Sequence, residues 1–493
     1  MKPAPLGGLP RLDSNASPAT FWSLALALVL SLGSAAVAYL ALNRLGIAGM
    51  VLVLAGLVGI IILGAVSLRN LIVAIAIWLF TMGGVRLVSL VSMPGLPDFS
   101  IDRFFLVWIA IFFLIHIARD RQQLQPPYFA DIMIISHTVY ILFNLQYCQS
   151  PYFNGWVHSS LPPLFAFLYG HYLVKDWRSV RTLVVFLALM ALYFDITAIA
   201  EQMGWRGLIW PKQILDPNVG MWAPGRARGP VVHPPVFGQL LSMYVLLFFY
   251  LATRKISRFL RLISGVMVLL TLLALFLTYT RGPWLAAALA IGVVAALRAS
   301  YRRIVLALVV VGLLVGVFGV YRLANTKFLQ SRVQNTGTVE NRLSFLALEM
   351  RMVRDHPLLG VGYLRSKEFV GEYSKTTTIP FYGMIRKGRS EGMVAHDIYL
   401  GRLVEEGLVG LGLMLMFYVA IGRAWWRQWR ANPQEAWFDR DLLALFAGMM
   451  VSYYFGGLII DYRYFDLVNV VFCLIGGIVY GYRSPQYARP ELR

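Results

Sequence analysis

The chain has 493 residues, of which 58% are hydrophobic and 14% charged, with a formal net charge of +20 at neutral pH. Water-soluble globules carry about 25% charged residues, so this composition excludes a soluble enzyme and calls for an all-α, polytopic membrane protein. Nucleic acid is not a reasonable partner, because no soluble reading module accompanies the charge.

Residues 1–20, rich in Pro, Gly and Ser, read as a disordered cytoplasmic tail. The apolar run behind them is too long and too far in for a signal peptide. Hydrocarbon thickness asks for about 20 apolar residues per helix. Spans are predicted near 21–42, 46–66, 69–87, 101–118, 130–147, 159–175, 180–200, 234–252, 260–279, 283–298, 303–321, 403–421, 441–460 and 465–481. That gives about fourteen transmembrane helices: about eleven in a region 21–321, and three in a region 403–482 ahead of a cytoplasmic tail at 483–493. The third span is the weakest, since Gly83 and Gly84 interrupt it and Arg86 lies near its end.

Short loops rich in Lys and Arg stay in the cytoplasm. The stretches KDWRSVR, RKISRFLR, YRR and RAWWRQWR all fall on one side if there are fourteen spans. Both termini are then cytoplasmic, and the long connections 201–233 and 322–402 face outward, the second as a periplasmic loop containing an amphipathic helix. That second loop holds 13 Lys and Arg from Arg322 to Arg402, against the positive-inside tendency. Two explanations stand: long loops translocate regardless of charge, or these cations meet phosphates or acidic sugars at the outer surface.

Four outward stretches gather the residues suited to chemistry. In APGRARGPVVHPPVFGQLL, Gly and Pro constrain the backbone to turn, so that Arg226 and Arg228 are presented just above the membrane. Arginine forks match phosphate oxygens two at a time, although snorkelling to lipid headgroups would use the same residues. In TYTRGPWLAAALA, Arg281 lies at the apex of a tight turn at headgroup depth, where phosphate is the natural counter-ion. In TVENRLSFLALEMRMVRDHPLLGVGYL, one helical face is predicted at Leu343, Leu346, Ala347, Met350 and Val353, with Arg342, Glu349 and Arg354 elsewhere around the helix and Pro357 ending it. In GMVAHDIYLGRLVEEGLVGLGLML, His396 stands at the threshold of an apolar helix, beside Asp397 and followed by Glu405 and Glu406. A histidine that titrates near neutrality is suited to take a proton from a hydroxyl, and equally to a structural role.

Cys148 and Cys473 lack metal-ligand spacing, and no phosphate-binding Gly-rich loop, HExxH pair, clustered acidic metal site or nucleophile elbow occurs. Neither a cofactor nor a metal is expected.

Taken together, these segments resemble the O-antigen ligase and O-antigen polymerase superfamily. The resemblance runs over residues 222–416 and is most specific in NRLSFLALEMRMVRDHPLLGVGYL and AHDIYLGRLVEEGLVGLGL, similar to the family's HPLxGVG and HNxYLxxxxExGLxGL. It departs in Asp397, where the family usually has Asn, and in fourteen spans against the twelve common among ligases.

The resemblance implies a fold of the C-type glycosyltransferase kind in the bacterial inner membrane, with its active site facing the periplasm among membrane lipids. The donor would be a glycan on undecaprenyl pyrophosphate and the acceptor a glycan or lipid A core. Transfer would proceed with inversion and without a metal. His396 would be the general base and Arg226, Arg228 and Arg281 would hold the pyrophosphate, with Asp397, Arg342 and Glu405 as further site candidates. Without a metal, preorganised cations must stabilise the leaving group. Polymerase and ligase stay open. The reading from another class is a flippase or exporter of lipid-linked glycans, for which Asp195, His116 and His137 would be the hints of a polar path.

Overall fold

The computed structural model describes residues 58–89, 98–119, 128–144, 150–221, 223–254, 257–306, 337–373, 378–379, 383–384, 397–435 and 437–482. Both expected tails and the span expected at 21–42 lie outside the described residues, as do most of the spans expected at 46–66 and 303–321. The chain divides after Asn70 into two units. In the first, one apolar helix is described, α1 (Val58–Arg69).

The second unit is helical over its described length, apart from a two-residue antiparallel pair, β1 (Thr378–Ile379) and β2 (Gly383–Met384). Its helices are α2 (Leu71–Phe80), α3 (Ile101–Arg119), α4 (Phe129–Asn144), α5 (Ser150–Ser159), α6 (Leu161–Leu173), α7 (Trp177–Met203), α8 (Pro234–Thr253), α9 (Arg258–Leu277), α10 (Arg281–Leu297), α11 (Gly337–Asp355), α12 (Ser366–Tyr373), α13 (Ile398–Ala431), α14 (Arg440–Gly457) and α15 (Asp466–Gly481). Six stretches among the described residues are long and apolar enough to cross a membrane: Leu71–Val88, α3, α7, α8, α9 and α13. They match expected spans closely, except that α13 runs from Ile398 to Ala431 rather than over 403–421.

The glycines that weaken the third span in sequence make it fit in space. α2 runs into a π-helical turn, Thr81–Val85, and continues helically to Ser89. A β-carbon at Gly83 would stand 2.7 Å from Met190 and 3.0 Å from Phe194 of α7. α6 and α15 use the same device. A β-carbon at Gly170 would overlap the Leu474 carbonyl oxygen, and one at Gly477 the Phe167 carbonyl oxygen. Small residues let backbones approach where apolar burial supplies no drive between helices in lipid.

α8 lies at the centre, buried without interruption from Val236 to Tyr250. At its C-terminal end Arg254 pairs with Asp439 at 2.7 Å, and nearby Arg298 pairs with Asp441 at 2.5 Å. The opposite end gathers the 204–233 loop, the α9–α10 turn, the 458–465 loop, α11 and the start of α13.

The buried face of α11 differs from the expected one. Phe345, Leu348, Glu349 and Met352 face inward, whereas Leu346 is 45% and Met350 51% exposed. Both stripes are apolar at helical spacing, and packing on Val361, Val370 and Val404 selects the one that carries Glu349. The Leu343 side chain lies outside the described residues.

α13 is broken. Gly407 has φ 66° and ψ −167°, outside the helical region. The break exposes carbonyls of one half and N–H groups of the other, which cannot stay unpaired in a membrane. Residues 357–362 fill it. Val361 N donates to Val404 O (2.8 Å), Gly362 N to Glu405 O (3.1 Å), Leu408 N to Pro357 O (2.9 Å) and Val409 N to Leu358 O (3.2 Å). Gly360 and Gly407 both have positive φ, and a β-carbon at either would overlap the facing backbone. The glycines of HPLLGVG and EEGLVG are therefore the two sides of one backbone-to-backbone joint.

Candidate active site

The arginine side begins with the α9–α10 turn. Thr278, Tyr279 and Thr280 form it and Arg281 is the first residue of α10, so the turn's apex precedes Arg281. Neighbours fix the turn on several sides. Trp284 Nε1 donates to Leu275 O at 2.9 Å, a β-carbon at Gly238 would meet Pro283 and the Thr278 hydroxyl at 3.0 Å, and one at Gly282 would stand 2.9 Å from Ile459. The Gly- and Pro-rich loop docks here as well. Ala227 N donates to Leu277 O (2.9 Å), Arg226 Nε to Thr278 O (2.9 Å) and Arg226 Nη2 to Thr280 Oγ1 (2.6 Å). Two of the expected arginines, 55 residues apart in sequence, are thus brought to one turn, and Arg281 stands exposed on it.

Arg228 is placed differently. It is 2% exposed and its guanidinium is spent on backbone carbonyls. Nε and Nη2 donate to Ile214 O (3.0 and 2.5 Å), Nη2 also to Asp216 O (2.6 Å), and Nη1 to Val219 O (2.9 Å) and Met221 O (3.4 Å). Glu201, at the end of α7, accepts from the N–H groups of Arg228 and Gly229 at 2.9 and 2.8 Å. These bonds tie the loop into a fixed shape, so Arg228 supports the platform on which Arg226 is mounted.

The acidic side lies beyond the 458–465 loop, whose Ile459 abuts Gly282 beside Arg281. Arg463, 3% exposed, donates to Asp461 through Nε (3.0 Å) and Nη2 (2.8 Å), and to Glu405 through Nη1 (3.2 Å). Gly401 makes room for it, since a β-carbon there would overlap the guanidinium. Glu405 also accepts from Leu364 N (3.0 Å), Ser366 Oγ (2.6 Å) and the Tyr464 hydroxyl (2.5 Å). It holds α13, the 458–465 loop and the start of α12 together. The next residue, Glu406, accepts from Arg402 Nη1 at 2.8 Å and lies 2.8 Å from His137 Nε2. Between His137, Arg402 and Arg463 is a cavity of about 30 Å³, room for about two water molecules.

Asp397 caps α13, its carboxylate accepting from Tyr399 N (2.7 Å) and Leu400 N (3.0 Å). Burial raises its pKa, and those two N–H groups oppose the rise. Glu349 of α11 lies within electrostatic reach of Asp397, Glu405, Asp461 and Arg463, and its pKa is pushed up to about 8. Burial is the main cause. Arg463 opposes it, and the three carboxylates add to it.

His396 lies outside the described residues, as does the side chain of Arg342, whose backbone is in α11. Asp397, next to His396, is at the start of α13. Sequence reasoning missed Asp461 and Arg463, although DYRYFD in a short connection between two apolar spans is an unusual density of charge. It also missed that His137 belongs to an ion triad. Asp195 accepts from Thr271 Oγ1 at 2.7 Å, and His116 is exposed on α3. Asp195 and His137 are thus held in local contacts, which do not favour a polar path.

No curated protein matches the chain. A family model described as O-antigen ligase matches residues 266–415, which take in the Arg281 turn, α11 with Glu349, the 357–362 joint and α13 through its break. Over that stretch, about a third of its length, the chain is similar to the O-antigen ligase family.

Proposed function

We propose that the protein is a membrane glycosyltransferase that moves a glycan from undecaprenyl pyrophosphate to a sugar hydroxyl, at the periplasmic face of the bacterial inner membrane. It acts as an O-antigen or exopolysaccharide polymerase, with a glycan acceptor, or as an O-antigen ligase, with lipid A core. The acceptor oxygen attacks the anomeric carbon from the face opposite the pyrophosphate, and its proton passes to His396. The bond from that carbon to the pyrophosphate oxygen breaks, and undecaprenyl pyrophosphate leaves with the bonding electrons. Arg226 and Arg281 take the charge that develops on the leaving group, so the step invokes neither metal nor cofactor. Arg228 shapes their loop, Glu405 holds the α13 mouth, Asp397 fixes the start of α13 beside His396, and Arg342 lies on the same outward helix as Glu349.

One observation carries this reading. The loop with Arg226 is clamped to the turn that begins α10 with Arg281, within a stretch that matches the O-antigen ligase family. Two guanidinium side chains on one rigid turn suit a diphosphate.

The test is incubation of purified protein with lipid-linked repeat units, with and without lipid A core, and separation of the products on a gel. Longer lipid-linked glycans without core identify a polymerase, and core-linked glycan a ligase. His396→Ala is expected to lower transfer at least about 100-fold at normal protein level. More than about a tenth of wild-type activity in that variant removes the general-base role.

A further inference from the structure

Of the four carboxyl groups around Arg463, three are consumed by the fold. Asp461 is bound by Arg463, Glu405 by four donors, and Asp397 by two backbone N–H groups. Glu349 is different. It is 7% exposed, it lies within electrostatic reach of the other three, and it has no hydrogen bond or ion pair among the described residues. Phe345, Leu348 and Met352 anchor its stretch of α11 in the core, so the residue is held on the inner face of the helix. A carboxyl held there with its hydrogen-bonding capacity unspent on the fold suits a polar ligand.

We propose that Glu349 is a further substrate-contacting residue, whose carboxyl hydrogen-bonds a hydroxyl of the acceptor sugar beside the attacking one. This rests on the glycosyltransferase reading. A sugar presents neighbouring hydroxyls that both donate and accept, which suits a carboxyl in either protonation state. The diphosphate is excluded from this side, because Asp397, Glu405 and Asp461 would repel it, whereas Arg226 and Arg281 lie beyond Ile459. The arrangement divides the mouth into a cationic donor half and an acidic acceptor half.

The experiment is steady-state transfer by wild type, Glu349→Ala and Glu349→Gln, with donor and acceptor varied separately, alongside thermal melting in detergent. Glu349→Ala is expected to raise the acceptor KM about 10-fold or more and to leave the donor KM and the melting temperature near wild type. Glu349→Gln, which still donates and accepts, is expected to recover most of the acceptor affinity. If wild type transfers glycan and Glu349→Ala leaves the acceptor KM unchanged, the assignment is overturned. A fall in melting temperature with both KM values raised together also overturns it, in favour of a packing role. A wild-type acceptor KM that rises on chelation of divalent cations overturns it in favour of a cation between the carboxylates. A wild-type protein that transfers nothing overturns the glycosyltransferase reading and this assignment with it.

Discussion

Arg226 and Arg228 stand two residues apart in one loop and finish in opposite roles. Arg228 points into the protein and exhausts its donors on the carbonyls of Ile214, Asp216, Val219 and Met221, whereas Arg226 lies at the α9–α10 turn beside exposed Arg281. The acidic side shows the same split. Glu405 is used up by four donors, and Glu349, within electrostatic reach of it, is not. On each side one charged residue, bound all round within the fold, gives the shape, and the proposed substrate contact is a neighbour held in place by that shape. Charge and exposure in sequence do not separate the two kinds, since both occur in the same short motifs.

The strongest way to break the comparison is to remove the shape itself. Gly407→Ala places a β-carbon into the backbone of residues 357–362 at a φ that L residues rarely adopt. Overlap and strain together should cost at least about 3 kcal/mol. The expected outcome is little or no monodisperse protein in detergent, with transfer lost in proportion. A well-folded Gly407→Ala protein would mean that the joint at the α13 break does not hold the mouth together.

Arg228→Ala sharpens the contrast within the loop. It strips several buried carbonyls of a charged donor, which should lower stability by about 3 kcal/mol, read by thermal or denaturant melting in detergent. The folded fraction should keep a donor KM near wild type. A normal melting curve with weakened donor binding would give Arg228 the phosphate role that its geometry assigns to shaping the loop.

Much of the helical framework was legible because long apolar runs have few alternatives: α3, α7, α8 and α9 lie close to where hydropathy places them. The motifs were legible as motifs, but the reason for their glycines was not. Gly360 and Gly407 matter through one joint between segments 47 residues apart in sequence, a non-local contact that spacing cannot reveal. The face of α11 was misread because both its stripes are apolar, so periodicity alone could not choose between Leu346 with Met350 and Phe345 with Leu348. That choice hid Glu349, which lies on the stripe that packing selects. Arg226 and Arg281 were legible as phosphate-binding types, and Arg228 equally so. Only the carbonyls gathered by the 204–233 loop distinguish it from them.

If the donor's diphosphate sits on the Arg226 and Arg281 side of the mouth, as proposed, Arg281→Lys should impair transfer. The turn fixes the depth of residue 281, so the substitution keeps the charge and removes the planar fork that binds two oxygens together. Charge-assisted bonds of this kind are worth about 1.5 to 3 kcal/mol each, so transfer should fall roughly 10- to 150-fold. Rates would be measured on one lipid-linked donor at equal protein level, varying donor and acceptor in turn. The loss is expected with the donor, as a raised donor KM or a lowered kcat, while the acceptor KM stays near wild type. A fully active Arg281→Lys enzyme, with lysine serving as well as arginine at the headgroup boundary, would contradict that placement of the diphosphate.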